Sequence, residues 1–243
     1  MGRQMRIACV VEVSAALLLG LTACGGDSSG DSGGSTAGTT AATGGNFEIF
    51  PPQIFSGTDS QHIFRAPIIA VNAPAEVEWT IADPNIATIS PDSGNSSELM
   101  VTIKAPGTTT ITATSSGQSV TASLESVGYT PEQYAAGEHR YKNAADEDNP
   151  ACNECHAPGK GPDHTATELD ADPDNQVQNT FLSGVDPENR PIADESEYAY
   201  LLEGKDHMWT VTEEERIGLL AYLRALEPMG YPEYDAPTAE KEE

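Results

Sequence analysis

The sequence predicts a multidomain chain: an all-β sandwich followed by an all-α domain, behind a disordered tether. Three observations carry that expectation. Residues 25–45 are almost entirely Gly, Ser, Thr, Ala and Asp, a composition with no apolar surface to bury and great backbone freedom. Between residues 47 and 127, apolar and polar residues alternate at period two, with turn signals at short intervals. Near Gly128 the period changes to helical spacing, which returns in the last apolar run before Pro228.

Composition bounds the partners. Lys+Arg 12 against Asp+Glu 38 gives a formal charge of −26, which argues against nucleic acid and would attract a partner with a basic docking face. A plain solvated coat is the other meaning of the same acidity. The four cysteines fall into separate roles. Cys9 lies in the N-terminal apolar run, Cys24 follows Leu21-Thr22-Ala23, and Cys152 and Cys155 stand together, so no structural disulfide is expected.

Residues 1–23 carry Arg3 and Arg6, then an apolar run broken by Glu12. The run is too short, and too soon followed by glycines, for a spanning helix, and it reads as a signal segment. Its end, Leu21-Thr22-Ala23-Cys24, resembles the lipobox of bacterial lipoproteins. That resemblance implies cleavage before Cys24 and acylation of Cys24 as a membrane anchor. Gly25 in place of Asp after the cysteine implies the outer membrane, on its periplasmic or surface face. Residues 24–46 form the tether, and about 20 such residues span about 25 Å root-mean-square as a random coil.

In residues 47–127, Leu99, Val101 and Ile103 alternate with polar neighbours, as do Ile111 and Ala113, and then Val120, Ala122 and Leu124. These are half-buried strands. Turn signals at Asp83-Pro84-Asn85, Pro91-Asp92-Ser93-Gly94-Asn95, Ala105-Pro106-Gly107 and Ser115-Ser116-Gly117 favour a sandwich. Val77-Glu78-Trp79-Thr80, Asn85-Ile86-Ala87-Thr88-Ile89-Ser90 and Gly107-Thr108-Thr109-Thr110-Ile111-Thr112-Ala113-Thr114 together resemble the bacterial Ig-like domains of group 2. The resemblance implies a buried Trp79, packed on aliphatic residues alone, and a stalk or adhesive role. His62 has no partner pattern and is expected at an exposed or edge position.

From Gly128 the elements are helical. Thr130-Pro131-Glu132-Gln133 starts one helix with an N-cap and a first-turn proline. Asn149-Pro150-Ala151-Cys152-Asn153-Glu154-Cys155-His156 follows. In this C-x-x-C-H pattern each thiol can form a thioether to one haem vinyl group while His156 turns to the iron. A zinc site wants a second ligand pair, and no cysteine follows Cys155; a thioredoxin-like pair wants a βαβ context that the flanks lack. One covalent haem c is expected, on Cys152 and Cys155 with His156 as proximal iron ligand, and with it an extracytoplasmic location. Residues 174–184 read as a further helix ending at Gly184. Asp170-x-Asp172-x-Asp174 is no calcium loop, because Asn175 and Phe181 stand where glycine and glutamate belong. Thr212-Glu213-Glu214-Glu215 caps a last helix carrying Ile217, Leu219, Leu220, Leu223 and Leu226, stopped by Pro228.

Gly137 and Tyr141 in the first helix, the C-x-x-C-H, and Gly218-Leu219-Leu220-Ala221-Tyr222-Leu223-Arg224-Ala225-Leu226 resemble, in that order, a class I monohaem cytochrome c over residues 128–230. In that family the first and last helices cross, glycine letting the backbones approach and an aromatic filling the contact. The family usually takes its sixth ligand from the loop before the last helix, where His207 and Met208 are adjacent. The run 207–214 also resembles a subgroup reading H-x-W-x-x-T-x-E, and Thr212 follows Met208 closely for a methionine loop. The reading leans to His207, with Met208 packing on the haem edge. Trp209, Tyr198, Tyr200 and Tyr222 are expected around the pocket; His139 and His164 stay open as other candidates for the sixth ligand, with exposed or propionate-side positions expected for both. Residues 231–243 are expected to be disordered.

The function these readings imply is outer-sphere electron transfer through one haem, with redox proteins as partners and no catalytic residues. Two alternatives stay open: a surface interaction or adhesion lipoprotein with a structural or sensory haem, and a peroxidase-like enzyme with an exchangeable sixth site.

Overall fold

Eight strands lead the fold because alternating apolar residues must bury one face of each strand. The computed structural model describes residues 46–156, 161–187, 189–192 and 207–234. Cys24, Tyr198 and Tyr200, and the signal and tether segments, lie outside these residues. Strands β1 (Glu48–Phe50), β3 (Phe64–Val71), β6 (Glu98–Ile103) and β5 (Ala87–Pro91) form one sheet in the order β1-β3-β6-β5. Strands β2 (Gln53–Thr58), β8 (Gln118–Gly128), β7 (Gly107–Ser115) and β4 (Glu78–Ile81) form the other in the order β2-β8-β7-β4. All pairs are antiparallel except β2 with β8.

Register stacks the apolar columns. Val101 sits opposite Ala66 and Ile89, and Ile111 opposite Ala122 and Ile81. Phe64, Ile54, Ile68, Leu99, Ile111 and Leu124 are fully buried, each stabilising the sandwich by about 1.5–3 kcal/mol relative to exposure. Trp79 is buried, and its indole N–H donates to the Ser96 carbonyl at 2.8 Å, which satisfies the ring's one polar atom. Ser116 and Gly117 both take positive φ, 48° and 79°, between the paired Ser115 and Gln118. That is the two-residue mirror-image turn whose twist matches antiparallel strands.

The helices are α1 (Pro131–Lys142), α2 (Cys152–Cys155), α3 (Ala166–Leu169), α4 (Asp174–Ser183) and α5 (Glu213–Arg224). Thr130 and Thr212 each close a full capping box, with Gln133 and Glu215 respectively. Helices α1 and α5 cross at their glycines. A Cβ on Gly137 would fall 1.8 Å from the Gly218 carbonyl oxygen, and one on Gly218 2.3 Å from that of Gln133. Beside the crossing, the ring centres of Tyr134 and Tyr141 lie 5.4 Å and 5.0 Å from that of Tyr222.

Sandwich and helices share contacts that a loose stalk would lack. Phe55 N–H donates to the Asp170 carbonyl and Tyr129 N–H to that of Thr58, both at 2.8 Å. The Tyr129 ring lies over Gly57, where a Cβ would come within 2.3 Å of it, and its hydroxyl donates to Asp174 at 2.9 Å. Asp174 also takes Arg224 at 3.0 Å. Arg224 is fully buried, donates to the carbonyls of Leu169 and Asp172, and lies 3.8 Å from the buried Asp170 carboxylate. The acids that imitate a calcium loop in sequence are thus tied to an arginine.

Two expectations change here. His62 is half-buried, its ring stacked on Tyr134 at 3.4 Å and its Nδ1 2.7 Å from Asp59, because the helical part covers this end of the sandwich. The start of the tail is docked over residues 231–234: Pro232 is buried, the Tyr234 hydroxyl donates to Glu48, and its ring meets Phe50 edge-on at 5.5 Å.

Candidate functional site

One turn of helix carries the C-x-x-C. In α2, positions i and i+3 share a face, and both Cys152 and Cys155 line one cavity of about 590 Å³. That volume lies within the range of small-molecule and cofactor sites. Neither cysteine is in a disulfide. Burial raises the Cys152 thiol above its ordinary range, with the Arg140 charge pulling the other way. Arg140 is itself buried and clamps the approach to α2, donating to the carbonyls of Asn143 at 3.2 Å and Pro150 at 3.0 Å.

The cavity walls are largely apolar, with Val177, Phe181, Ile192, Trp209, Leu219 and Leu223 among them. His156 and His207 both line it, their ring centres 6.1 Å apart and their planes at 80°. His156 Nδ1 lies 3.1 Å from the Pro162 carbonyl, and His207 Nδ1 lies 2.9 Å from that of Thr180. A carbonyl only accepts, so each Nδ1 carries the proton and donates, which leaves each Nε2 with the lone pair. Burial holds both rings below their ordinary pKa, and neutral imidazole is the form that binds a metal.

Helix α4 positions His207. Its last carbonyls, those of Thr180 and Phe181, accept from His207 Nδ1 and from Trp209 N–H, the latter at 2.7 Å. Gly184 then turns with φ 63° where a Cβ would press on the His207 carbonyl at 3.2 Å. Thr210 N–H donates to Asn149 Oδ1 at 2.8 Å, tying the His207 loop to the segment before α2.

Met208 is 50% exposed and is not part of the cavity lining, so the side chain expected to pack on the haem edge points to solvent. Trp209 lines the cavity as expected, whereas Tyr222 sits behind Tyr141 in the helix crossing. His139 is exposed. His164 lines the cavity, with its ring stacked on His156 at 3.5 Å. Sequence also passed over the carbonyls of Pro162 and Thr180, which as backbone groups leave no mark in residue type.

The donor set fits a haem held through two thioethers and two imidazoles. Two imidazoles that bind one first-row metal ion from opposite sides, each nitrogen about 2.0–2.1 Å away, have ring centres about 6 Å apart. Both ring tautomers are set for that role by backbone acceptors. Among the described residues, no group of three or more His, Cys, Asp or Glu side chains converges as a metal-ion site.

Residues 61–126 match the bacterial Ig-like domain (group 2). The Ig-like domain therefore accounts for most of the sandwich, from just before β3 into β8. Similar solved structures include domains 4 and 5 of the S-layer protein SbsC, 21% identical over 34% of this chain with a TM-score of 0.27. The M1 domain from titin is 10% identical over 36% of this chain and 96% of its own, also with a TM-score of 0.27. The chain spans about half the length, 51%, of the SbsC fragment. No curated protein matches the chain.

Proposed function

We propose that this chain is a c-type cytochrome that transfers electrons by an outer-sphere route through one covalently held haem, anchored to the bacterial envelope by acylated Cys24. The observation that carries the reading is the placement of Cys152, Cys155 and His156 on one wall of an apolar cavity, with His207 6.1 Å from His156. Haem, when bound, supplies one-electron exchange between ferric and ferrous iron. The chain does the rest. Cys152 and Cys155 hold the group, while His156 and His207 present Nε2 from rings whose Nδ1 protons are committed to carbonyls. Trp209, Phe181 and Leu219 exclude water, and a dry shell controls the potential. With two histidines committed, no position is left for substrate, which disfavours the enzyme reading.

The deciding experiment is expression alongside a haem-attachment system, followed by haem staining on a denaturing gel. The expected result is a haem band in the wild type that is lost when Cys152 and Cys155 are both replaced by Ser. A colourless wild-type protein would end the reading.

A further inference from the structure

We infer that His164 is a positioning residue for His156: its stacked ring fixes the plane in which His156 presents itself to iron. The inference rests on the haem reading above and extends it to a residue outside the attachment motif. The rings of His156 and His164 lie 3.5 Å apart, their planes within 21°. The bond from His156 Nδ1 to the Pro162 carbonyl pins one edge of the ring but leaves it able to swing about that edge. A flat neighbour at stacking distance removes the swing.

Both constraints come from the same short segment, Pro162-Asp163-His164, and that segment is itself held. Asp163 accepts from Thr165 N–H at 2.9 Å and from its hydroxyl at 2.6 Å, and Thr165 caps α3. At Gly161 a Cβ would come 2.6 Å from the Cys155 carbonyl oxygen, so the segment lies directly on the turn that carries His156. Tyr141 also packs beside this ring, its centre 6.0 Å from that of His164. His164 Nδ1 is sealed from solvent with no hydrogen-bond partner. An apolar aliphatic residue would fill this volume at lower desolvation cost; what the imidazole adds is a plane. In a haem held by His156, the orientation of that imidazole would tune the metal, and outer-shell contacts are what fix such an orientation.

The test uses the haem-loaded full chain and three variants, His164→Ala, His164→Leu and His164→Phe, read by electron paramagnetic resonance and by the haem methyl proton resonances. Absence of covalent haem in the wild type would remove the underlying reading, and this inference with it. With haem attached, the Ala and Leu variants are expected to stay low-spin with shifted g values, reordered methyl resonances and a displaced reduction potential. Phe, which restores a flat ring, is expected to bring the wild-type pattern back. Wild-type g values and methyl resonances in His164→Leu would overturn the inference, and so would a high-spin spectrum in any variant, which would make His164 a ligand. Because Leu and Phe keep the volume filled, the result does not depend on the Ala variant folding.

Discussion

At the scale of single residues, the proposal of His207 over Met208 rests on where the two side chains lie. His207 lines the cavity while Met208 is half in solvent. In the haem-loaded protein, His207→Ala should therefore lose the low-spin ferric spectrum and bind cyanide or carbon monoxide, whereas Met208→Ala should change neither. A near-infrared sulfur-to-iron band that vanishes in Met208→Ala would reverse that assignment. That Cys152, Cys155, His156 and His207 would share one cavity was legible, because residue type and spacing single them out. Pro162 and Thr180 were not, since each acts through a backbone oxygen that every residue has. The stacking of His164 on His156 was not legible, since it depends on residues 161–164 lying against the turn that carries His156. Asp170 makes a second case. Burial pushes its carboxyl well above the usual range, and Arg224 pulls it only partly back. A raised folded-state pKa means that this group's contribution to stability is full below about 3.9, the unfolded value, and fades as pH rises through the folded one. Asp170→Asn keeps the neutral form at all pH. Chemical denaturation midpoints at pH 5 and pH 8 should then differ less in the variant than in the wild type; an equal difference in both would show that Asp170 is ionised throughout.

At the scale of elements, the crossing of α1 and α5 is the strictest packing in the helical part. Both capping boxes were readable from Thr130 with Gln133 and Thr212 with Glu215, because caps are local and their residues are in fixed register. The crossing was not readable from spacing alone; it came from resemblance to a family, since the closeness of two helices depends on residues about 80 apart. Glycine at 137 and 218 removes the side chains that would keep the backbones apart, and the tyrosines at 134, 141 and 222 then fill the flanks. Gly137→Ala places a methyl group inside the van der Waals radius of the Gly218 carbonyl, so the helices must separate. Overpacking of a tight core typically costs about 1–3 kcal/mol, occasionally more, and this contact is with backbone, which cannot rotate away. Thermal unfolding should register the loss at the upper end of that range. Alanine at 137 with unchanged stability would mean that the helices do not cross this closely. Separation would also move Tyr141 and Leu219, two walls of the cavity, so stability and the environment of any bound haem should change together.

At the scale of the whole molecule, the Ig-like sandwich is packed against the helices through several specific contacts. A stalk or adhesive role is what the resemblance to group 2 Ig-like domains implies, while the period-two and helical stretches read as separate units. What joins them lies outside those periods. Phe55 donates its N–H to the carbonyl of Asp170, Tyr129 covers Gly57 and bonds Asp174, and Arg65 pairs with Glu227. The network centred on Arg224 sits beside these contacts, at the end of the same helix that contributes Leu219 and Leu223 to the cavity. Removing the sandwich would expose Tyr129 and leave the acids around Arg224 open to water on one side. Residues 46–234 should accordingly unfold in a single transition, with far-ultraviolet circular dichroism of the sheet and fluorescence of Trp209 reporting the same midpoint in a Trp79→Phe background. Deletion of residues 47–127 should yield helices that protease digests rapidly. Two transitions separated in denaturant, or a deletion product that resists protease and keeps its haem, would restore the stalk, because each outcome requires the cavity to stand without the contacts at Asp170, Asp174 and Tyr129.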